Sequence, residues 1–353
     1  MEILWIGKTG DANVWYHTYP FAVQKKIKKI HIVRYKKPQK NIPNSLHYNF
    51  TEGNFILSFF KILFISIRIL KNHKINHIVT FNPMPWGLVA WIIAKLSKTP
   101  ISIGFIGSDF YSYIASNSII GWLLLYVCKN SDIVTVTGNN MKNKLIEHNL
   151  PDNRIIIFPH CVDDKWFTDK TINKYKYDLI SVCKFEKRKR LEDIIMAVNN
   201  LKENNKIELK LCLLGDGETM DYIKKLVTDL KLEDLVHLPG YSNNVYEFLK
   251  SSKVYVQASE NEGLSLALIE AMSLGLVPVT TEAGSEKDII EDNFNGLFFN
   301  IGDIEGLVTL LIKISDEKEF KRIKKNVNKT KMRFSIKNAI DVANKISLKI
   351  NDV

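Results

Sequence analysis

Short apolar runs alternate with amphipathic, helix-like stretches along most of the chain. In the first half, strand-like runs at residues 77–81 and 101–106 flank a helical pattern at 86–96. The same alternation restarts at residues 178–182 and continues toward the end of the chain. Strand–helix alternation at this spacing predicts a doubly wound parallel sheet with helices on both faces, which is an α/β fold.

Length and a break in this alternation predict two domains. The chain has 353 residues, whereas a single hydrophobic core rarely extends beyond about 250–300 residues. A polar segment at residues 159–175 interrupts the pattern, so we place the linker there, between domains at 1–165 and 172–332. Residues 333–353 form a last amphipathic helix. Two α/β halves of similar size imply a cleft between them, and such clefts are common ligand sites.

Positive charge is concentrated in the first half. The formal net charge is +11, and residues 1–166 contain 20 of the 49 Lys and Arg but 9 of the 38 Asp and Glu, which leaves 29 of each for the remainder. A basic half favours an anionic partner, such as a phosphorylated substrate or an acidic membrane, but a solvated lysine-rich face gives the same count. The basic–aromatic pattern of a nucleic-acid module is missing from the sequence, so we expect no nucleic-acid partner.

Two strongly apolar helical stretches lie in this basic half, at residues 55–70 and 119–128. The longer one is shorter than the ~20 residues that a membrane span needs, and two cations interrupt it. Each stretch is therefore either a buried core helix or an interfacial helix that lies on a bilayer. Helical spacing predicts that Ser58, Lys61 and Arg68 share one face of the longer helix.

Other sequence features bear on compartment and cofactors. The chain starts with a strand and a glycine turn, MEILWIGKTG, and not with a signal peptide, because no basic region precedes a long apolar one. Four cysteines without metal-like or redox-like spacing predict reduced thiols in a cytosolic protein. We therefore expect a cytoplasmic protein, either free in the cytoplasm or located at the inner face of the plasma membrane. The sequence contains no Asp-x-Asp triplet, so we expect no metal site and no cofactor.

The stretch 254–281 contains two acids where parallel sheets bind ligands. A strand-like run is followed by a polar turn with Glu262, a helix with Glu270, and a second strand. In an open parallel sheet, ligands bind outside the carboxyl ends of the strands, and an acid such as Glu270 can accept hydrogen bonds from both ribose hydroxyls. Glu262 stands beside Gly263 and Ser265, whose backbone N–H groups can meet phosphate or sugar oxygens. A carboxylate there can bind sugar hydroxyls or stabilise an oxocarbenium-like charge.

Three other turns follow predicted strands of the second half. Five cations at residues 184–190 precede a helix, and such a place binds phosphate through backbone N–H groups and the helix dipole. Lys184 and Lys189 could add two charges toward a diphosphate. Gly215, in an LGDG turn, lets the chain bend sharply beside a ligand. Tyr241, after a third strand, could flank a nucleobase.

Residues 180–310 resemble the donor-binding domain of retaining glycosyltransferases of family 4 (glycosyl transferases group 1). The resemblance rests on SENEGLSLALIEAMSLGLVPVTT with its two acids, on the two lysines, and on LGDG, HLPGY and DNFNGLFF. The first half matches more loosely, through the glycine turn at residues 7–10, a GSD sequence ending at Asp109, and FPHCVD. The resemblance implies a GT-B fold, in which two Rossmann-like domains face each other, and a last helix that crosses back onto the first domain.

The resemblance also implies a role for each candidate residue. Glu262 would be catalytic by holding the transferred sugar, and Asp109 is the second catalytic candidate. Glu270 would bind the ribose, and Lys184 and Lys189 would bind the diphosphate. The other donor-binding candidates are Gly263, Leu264, Ser265 and Leu266 at the β-phosphate and sugar, Gly7 and Gly10 closing over the phosphates, and Gly215 and Tyr241. The reaction would be transfer with retention from a UDP- or GDP-type sugar, without a metal.

Two places depart from the family pattern. Ile106 stands where many relatives have a His that contacts the donor sugar. His160 and Cys161 replace the Asn and Gly of a Pro-Asn-Gly sequence. Because of these departures, two interpretations remain. The chain is either an active enzyme or a non-catalytic relative that binds nucleotide sugars.

The sequence leaves two classes of acceptor open. The basic, apolar first half favours a lipid-linked or polymeric glycan at an anionic membrane surface, as in the synthesis of bacterial capsule, O-antigen or exopolysaccharide. An enzyme that glycosylates a soluble small molecule is the alternative.

Overall fold

The computed structural model describes residues 1–50, 54–81, 83–106, 114, 118–167 and 175–351. The chain splits into two compact units, which we call unit 1 (Met1–Cys161 with Ile336–Val353) and unit 2 (Val162–Ser335). Each unit is built on one sheet whose described strand pairs are all parallel.

The strands of unit 1 form a single twisted layer. In chain order they are β1 (Glu2–Ile6), β2 (Lys29–Arg34), β3 (Ser45–Asn49), β4 (His77–Thr80), β5 (Ile101–Gly104), β6 (Ile133–Val136) and β7 (Ile155–Ile157). Their order in the sheet is β3-β2-β1-β4-β5-β6-β7. The direction of winding reverses between β1 and β4, which makes the carboxyl ends of these strands a topological switch point.

Helices cover this sheet and complete its core. They are α1 (Asp11–Ala22), α2 (Phe55–Asn72), α3 (Leu88–Ser97), α4 (Ile119–Lys129), α5 (Asn139–Glu147) and the terminal helix α12 (Ile336–Asn351). The inner faces of α2 and α3 bury apolar side chains against β1, β4 and β5, and those of α4 and α5 bury theirs against β6. The terminal helix packs on α1, and Lys26 Nζ donates a hydrogen bond to Asn344 O at 3.4 Å.

Unit 2 repeats this architecture with its own core. Its strands are β8 (Tyr177–Val182), β9 (Leu211–Leu214), β10 (Val236–Gly240), β11 (Ser252–Gln257), β12 (Val277–Thr281) and β13 (Leu297–Phe299), in the order β10-β9-β8-β11-β12-β13. Its helices are α6 (Leu191–Asn205), α7 (Met220–Asp229), α8 (Val245–Lys250), α9 (Leu266–Ser273), α10 (Ile304–Ser315) and α11 (Glu317–Thr330). The switch point of this sheet lies between β8 and β11.

The predicted fold class is confirmed, since both units are Rossmann-like α/β structures on parallel sheets. The sequence pattern missed α1 and β3. Helix α1 contains Pro20 and several aromatic residues, which are weak helix formers. Its apolar residues also do not repeat with a clear helical period. Strand β3 is a partly exposed edge strand with polar Ser45 and His47, so it lacks an apolar run.

Helix α2 has one buried and one exposed face, and the residues on these faces differ from those that its sequence predicts. Ser58 is buried at 4% exposure, together with Ile62 and Ile69, whereas Lys61 and Arg68 are exposed. The predicted common face of Ser58, Lys61 and Arg68 is therefore wrong, because the hydroxyl faces the sheet and the cations face water. The buried-core interpretation is wrong for the outer face. Of the helices in the described ranges, none combines the length and apolar composition that a membrane crossing requires.

Candidate functional site

Two loops meet at the switch point of unit 2. Strands β8 and β11 are neighbours, and the sheet continues from them in opposite directions. The loop after β8 carries Lys184 and Lys189, and the loop after β11 carries Glu262. Lys189 Nζ forms an ion pair with Glu262 Oε1. The fold therefore brings two predicted donor-site residues, which are far apart in sequence, into direct contact.

The Glu262 carboxylate is buried and surrounded by donors. The residue is 8% exposed. Besides the Lys189 ammonium, Ser259 Oγ donates a hydrogen bond to Oε1 at 2.9 Å, and Arg188 Nη1 lies 3.7 Å from Oε2. The Glu262 N–H donates to Ala283 O at 2.9 Å. A buried carboxylate needs such partners to offset its lost hydration, and here they also hold Glu262 in one position.

A second acid, Glu286, supports the loop behind Glu262. Its side chain is fully buried; Oε1 accepts a hydrogen bond from Gln257 Nε2 at 3.1 Å, and Oε2 accepts one from Gly284 N at 2.5 Å. A Cβ atom at Gly284 would collide with the carbonyl oxygen of Glu262, so the two loops pack backbone against backbone. Burial, with a smaller contribution from the charge of Glu262, raises the pKa of Glu286 to about 7.

Glu270 lies on α9, which begins directly after the glycine loop. Ser265 caps this helix, since its Oγ accepts a hydrogen bond from Leu268 N at 3.3 Å. Leu266 is the first helical residue, Gly263 and Leu264 are buried just before it, and Glu270 is partly buried one turn further on. Burial raises the pKa of Tyr255 well above its usual value, and the charges of Glu262 and Glu270 add to this shift. The negative charges of Glu262 and Glu270 thus both disfavour ionisation of the buried Tyr255 hydroxyl.

A largely apolar cavity of about 400 Å³ opens at the carboxyl ends of β8 and β9. Lys184, Gly215 and Tyr241, all predicted donor-binding residues, contribute to its lining. Gly215 has a φ of +148°, and a Cβ atom there would collide with the carbonyl oxygen of Cys183, so the turn requires glycine. Tyr241 is 73% exposed, and Lys184 forms a 2.8 Å ion pair with Glu186. The cavity thus has an aromatic wall, and its lining contains one cation, Lys184, and one acid, Asp216.

The candidates in the first half lie in unit 1, at the carboxyl end of β1. Gly7 is buried and its N–H donates to Val33 O at 3.4 Å, whereas Gly10 is exposed and caps α1. A Cβ atom at Gly7 would lie 3.2 Å from the Trp5 ring, but one at Gly10 would meet no atom within 4 Å. Asp109 lies outside the described residues.

The two departures from the family pattern contact each other inside unit 1. His160 is 2% exposed, and its Nε2 lies 3.2 Å from Ile106 O. The ring of His160 also packs edge-on against His17, with 5.1 Å between the centroids. Burial lowers the pKa of His160 to about 4 and that of His17 well below its usual value. Both imidazoles are therefore neutral core groups.

Arg188 and Glu286 belong to this arrangement but were not among the candidates read from the sequence. Arg188 Nη1 donates a hydrogen bond to Asn261 O at 3.0 Å, in addition to its approach to Glu262. It stands in a run of cations, so no spacing distinguished it from its neighbours. Glu286 stands in a polar turn between two buried strands, and Gly284, two residues earlier, was the one available signal of a close approach.

Two family models match consecutive parts of the chain. The model of Glycosyltransferase Family 4 matches residues 29–166, and that of Glycosyl transferases group 1 matches residues 162–330. The second match contains all the donor-site candidates of unit 2, including Glu262 and Glu270.

Relatives and solved structures agree with these matches. The chain is 27% identical over 225 residues to the N-acetyl-alpha-D-glucosaminyl L-malate synthase of Bacillus anthracis, a match that spans 61% of this chain and 58% of that relative. It is 25% identical over 293 residues to the UDP-Gal:alpha-D-GlcNAc-diphosphoundecaprenol alpha-1,3-galactosyltransferase of Escherichia coli, over 78% of this chain and 75% of that one. The crystal structure of Anabaena HepE with UDP and glucose has the same fold, with a TM-score of 0.79 over 100% of both chains at 15% identity. The chain therefore belongs to Glycosyltransferase Family 4, the group 1 glycosyl transferases with a GT-B fold, and it is a glycosyltransferase.

Proposed function

We propose that this glycosyltransferase moves a hexosyl or N-acetylhexosaminyl group, with retention and without a metal ion, from a nucleotide-diphosphate sugar to a lipid-linked glycan of a bacterial surface polysaccharide. The observation that carries the donor half of this proposal is the Lys189–Glu262 contact beside the cavity lined by Lys184 and Tyr241. A diphosphate needs cations, a sugar needs a fixed hydrogen-bond acceptor, and a nucleobase needs an apolar pocket. All three stand side by side at one sheet edge.

The donor would extend along the switch point of unit 2. A cavity of about 400 Å³ lies within the range of small-ligand pockets, roughly 300–1,000 Å³, and its Tyr241 side could flank the base. Glu270 would accept hydrogen bonds from the ribose hydroxyls. The names of two similar proteins contain UDP or a UDP-sugar, so we propose UDP ahead of GDP as the nucleotide.

The chemical demand of such a transfer is the negative charge that builds on the departing diphosphate. Lys184, Arg188 and Lys189 place cations on one loop, and the first turn of α9 offers backbone N–H groups at the positive end of a helix dipole. These groups would neutralise the leaving group without a metal. The leaving phosphate would take the proton of the acceptor hydroxyl on the same face of the sugar, which gives retention. Glu262 would hold the sugar hydroxyls.

The names of the two relatives described above point to acceptors of different classes. The name of the Bacillus anthracis enzyme contains L-malate, a small soluble acid, whereas that of the Escherichia coli enzyme contains a sugar linked to diphosphoundecaprenol. We favour the lipid-linked class for this chain because two helices of unit 1, α2 and α4, leave large apolar side chains in solvent.

The outer face of α2 combines apolar and basic residues. Leu57, Phe60 and Phe64 are 61%, 60% and 68% exposed, and the exposed Lys61 and Arg68 lie on the same side. Single exposed apolar residues are ordinary, but contiguous ones mark interaction surfaces. An apolar row flanked by Lys and Arg is typical of a helix lying in the headgroup region of an anionic bilayer.

Helices α3 and α4 add exposed aromatic rings. Trp122 and Tyr126 are 69% and 47% exposed, and their rings stack with 6.1 Å between the centroids. Tyr126 also contacts Trp91 of α3 at 5.9 Å, and Lys95 Nζ lies 5.8 Å from the Trp91 ring. Trp and Tyr prefer the membrane–water interface. Because α3 packs against both α2 and α4, one unit presents both exposed faces.

Co-sedimentation with liposomes tests the acceptor half of the proposal. We expect the protein to sediment with vesicles rich in phosphatidylglycerol at low salt and to be released as salt screens its basic residues. The double variant Phe60→Ser/Phe64→Ser should bind at least about tenfold more weakly, because each buried Phe contributes roughly 1.5–3 kcal/mol. The matched control is Leu348→Ser, at a residue 58% exposed on α12. Failure of the unaltered protein to bind acidic vesicles at low salt would contradict the lipid-linked acceptor and favour a soluble one.

A further inference from the structure

A cluster of ligand-type side chains lies in unit 1 at the amino end of its sheet, where no donor-site candidate is found. Glu2 opens β1, His31 lies in β2, and His73 caps the end of α2. His31 Nε2 lies 3.0 Å from Glu2 Oε2, and His73 Nδ1 lies 3.3 Å from the same oxygen. Within the described ranges, these three are the His, Cys, Asp or Glu side chains whose ligand atoms converge, all within 4.8 Å of one another.

The strand register places Glu2 and His31 on one face of the sheet. Glu2 pairs with Lys29 and Leu4 pairs with His31, and residues two apart on a strand point the same way. Helix α2 packs over β2, and its last turn brings His73 to the same spot. The convergence of residues 2, 31 and 73 therefore follows from strand order and from the length of α2, which their separation in sequence does not indicate.

The backbone around the cluster is fixed independently of the three side chains. Glu2 N donates to Asn76 Oδ1 at 2.9 Å, and Asn76 N donates to Glu2 O at 2.9 Å. His73 N donates to Ile69 O at 2.9 Å, which continues the helix pattern to the cap. Both hydrogen bonds tie the start of β1 to Asn76, which follows the helix cap His73 by three residues, so the chain that carries Glu2 and the chain that carries His73 are held close together before any ion arrives.

The spacing of these atoms suits a small divalent ion. Zn²⁺ binds imidazole nitrogen and carboxylate oxygen at about 2.0–2.2 Å in a tetrahedral arrangement, which sets ligand atoms roughly 3.3–3.4 Å apart. The distances of 3.0 and 3.3 Å from Glu2 Oε2 to the two rings need a change of only a few tenths of an ångström. Two imidazoles and a carboxylate form a ligand set that favours zinc over magnesium or calcium.

The surroundings contain a second partner for His31 and an open side. Tyr48 Oη lies 3.0 Å from His31 Nδ1, so it can fix the orientation of the ring while Nε2 binds the ion. The His31 side chain is fully buried, but those of Glu2 and His73 are 24% and 29% exposed, which leaves a path for the ion and for a water as fourth ligand. The positive charge of Lys29 lies near both Glu2 and His31. Because this charge repels a cation, we expect the affinity for the ion to be moderate and not extreme.

We propose that Glu2, His31 and His73 form a zinc site in unit 1 that joins the start of β1, strand β2 and the end of α2. This site is separate from glycosyl transfer and does not depend on the proposed function. Its consequence is structural: an ion that binds the folded chain alone stabilises unit 1 by mass action.

Zinc binding at equilibrium, measured by dialysis against buffered Zn²⁺ followed by metal analysis, tests the proposal. We expect one Zn²⁺ per unaltered chain, and at least about tenfold weaker binding for His73→Asn and for Glu2→Gln, since each change removes a ligand. The matched control is His148→Asn, because His148 also caps a helix end and is partly exposed in unit 1 but belongs to no converging ligand group among the described residues. Zn²⁺ should raise the melting temperature of the unaltered protein and of His148→Asn, and not that of His73→Asn.

Two results would overturn the zinc site. One is the lack of saturable Zn²⁺ binding by the unaltered protein, which would leave Glu2 as a plain hydrogen-bond acceptor for two imidazoles. The other is equal affinity of His73→Asn, Glu2→Gln and His148→Asn, which would place the ion elsewhere. Circular dichroism of the variants checks that they are folded, and the two ligand variants change different elements, so a folding defect in one leaves the other as the test.

Discussion

At the scale of single residues, Glu286 makes the packing of the loop that carries Glu262 sensitive to pH. It is fully buried and holds Gly284 N, behind Glu262, and burial raises its pKa to about 7 from a usual value of 4.5. Between these two values the folded state binds a proton that the unfolded state has lost. The stability of unit 2 therefore falls as pH rises through this window, and the whole cost of burying the charge is present above it.

The variant Glu286→Gln removes this ionisation and keeps an amide oxygen for Gly284. Relative to the variant, the unaltered protein should lose up to about 1.4 kcal/mol of unfolding free energy per pH unit across the window. Urea unfolding between about pH 5 and pH 8 measures the effect. The control Glu282→Gln, at an exposed acid of the same loop, should follow the unaltered protein. Parallel pH profiles for Glu286→Gln and the unaltered protein would show that this carboxyl does not titrate in the window.

The placement of the two acids in the 254–281 stretch was predictable, but their partners were not. Strand–loop–helix patterning alone puts Glu262 on a loop at the sheet edge and Glu270 on the helix behind it, and the structure has both there. The Lys189–Glu262 ion pair joins residues separated by 73 positions. It depends on β8 and β11 being neighbours, and strand order is set by packing of the whole sheet, which local periodicity does not contain.

At the scale of elements, two glycine turns differ in what they require of the chain. Gly215 follows β9 in a backbone conformation that L-residues rarely adopt, and a Cβ atom there would collide with Cys183 O after β8. Gly10 precedes α1 with an ordinary φ of −58° and open space around it. The backbone at Gly215 therefore requires glycine for folding. The backbone at Gly10 does not, so any requirement for glycine there would come from a bound ligand.

Substitution with Ala should separate these two roles. Gly215→Ala should destabilise unit 2 by at least about 2 kcal/mol, because it combines strain at positive φ with a backbone collision. Gly10→Ala should unfold like the unaltered protein but lower kcat/KM, if the β1 turn closes over the donor phosphates. Urea unfolding and steady-state kinetics of both variants measure this. A stable Gly215→Ala variant, or a fully active Gly10→Ala variant, would contradict the respective role.

The outer face of α2 shows what an element's sequence can and cannot indicate. Its apolar composition predicted either a core or an interfacial helix, and the structure gives it one buried and one exposed face. The Ser58 side chain is buried, whereas Leu57, Phe60 and Phe64 are exposed. Lys61 and Arg68, seven residues apart in the sequence, indicate the exposed side of this helix, whereas the polar Ser58 gives no such indication because it is buried. The orientation comes from the packing of α2 on α3 and β2.

At the scale of the whole molecule, length and strand–helix alternation were enough to predict two Rossmann-like units. The charge asymmetry also has a structural counterpart, because the basic half of the chain contains the exposed faces of α2 and α4. Other features arise only from contacts between distant segments. The convergence of Glu2, His31 and His73 is one, and the buried His160–Ile106 contact, at two positions that depart from the family pattern, is another.

The proposed function requires that unit 2 bind a nucleotide-diphosphate sugar with Glu270 on its ribose. Calorimetric titration with UDP-, GDP- and ADP-sugars tests this binding, with Glu305→Ala, at an exposed helical acid of unit 2, as the control for Glu270→Ala. We predict that the unaltered protein and the control bind one class of nucleotide sugar, UDP-sugars first, and that Glu270→Ala binds it about 10- to 100-fold more weakly through the loss of charge-assisted hydrogen bonds. Failure of the unaltered protein to bind any of these sugars, or unchanged affinity of Glu270→Ala, would contradict the claim.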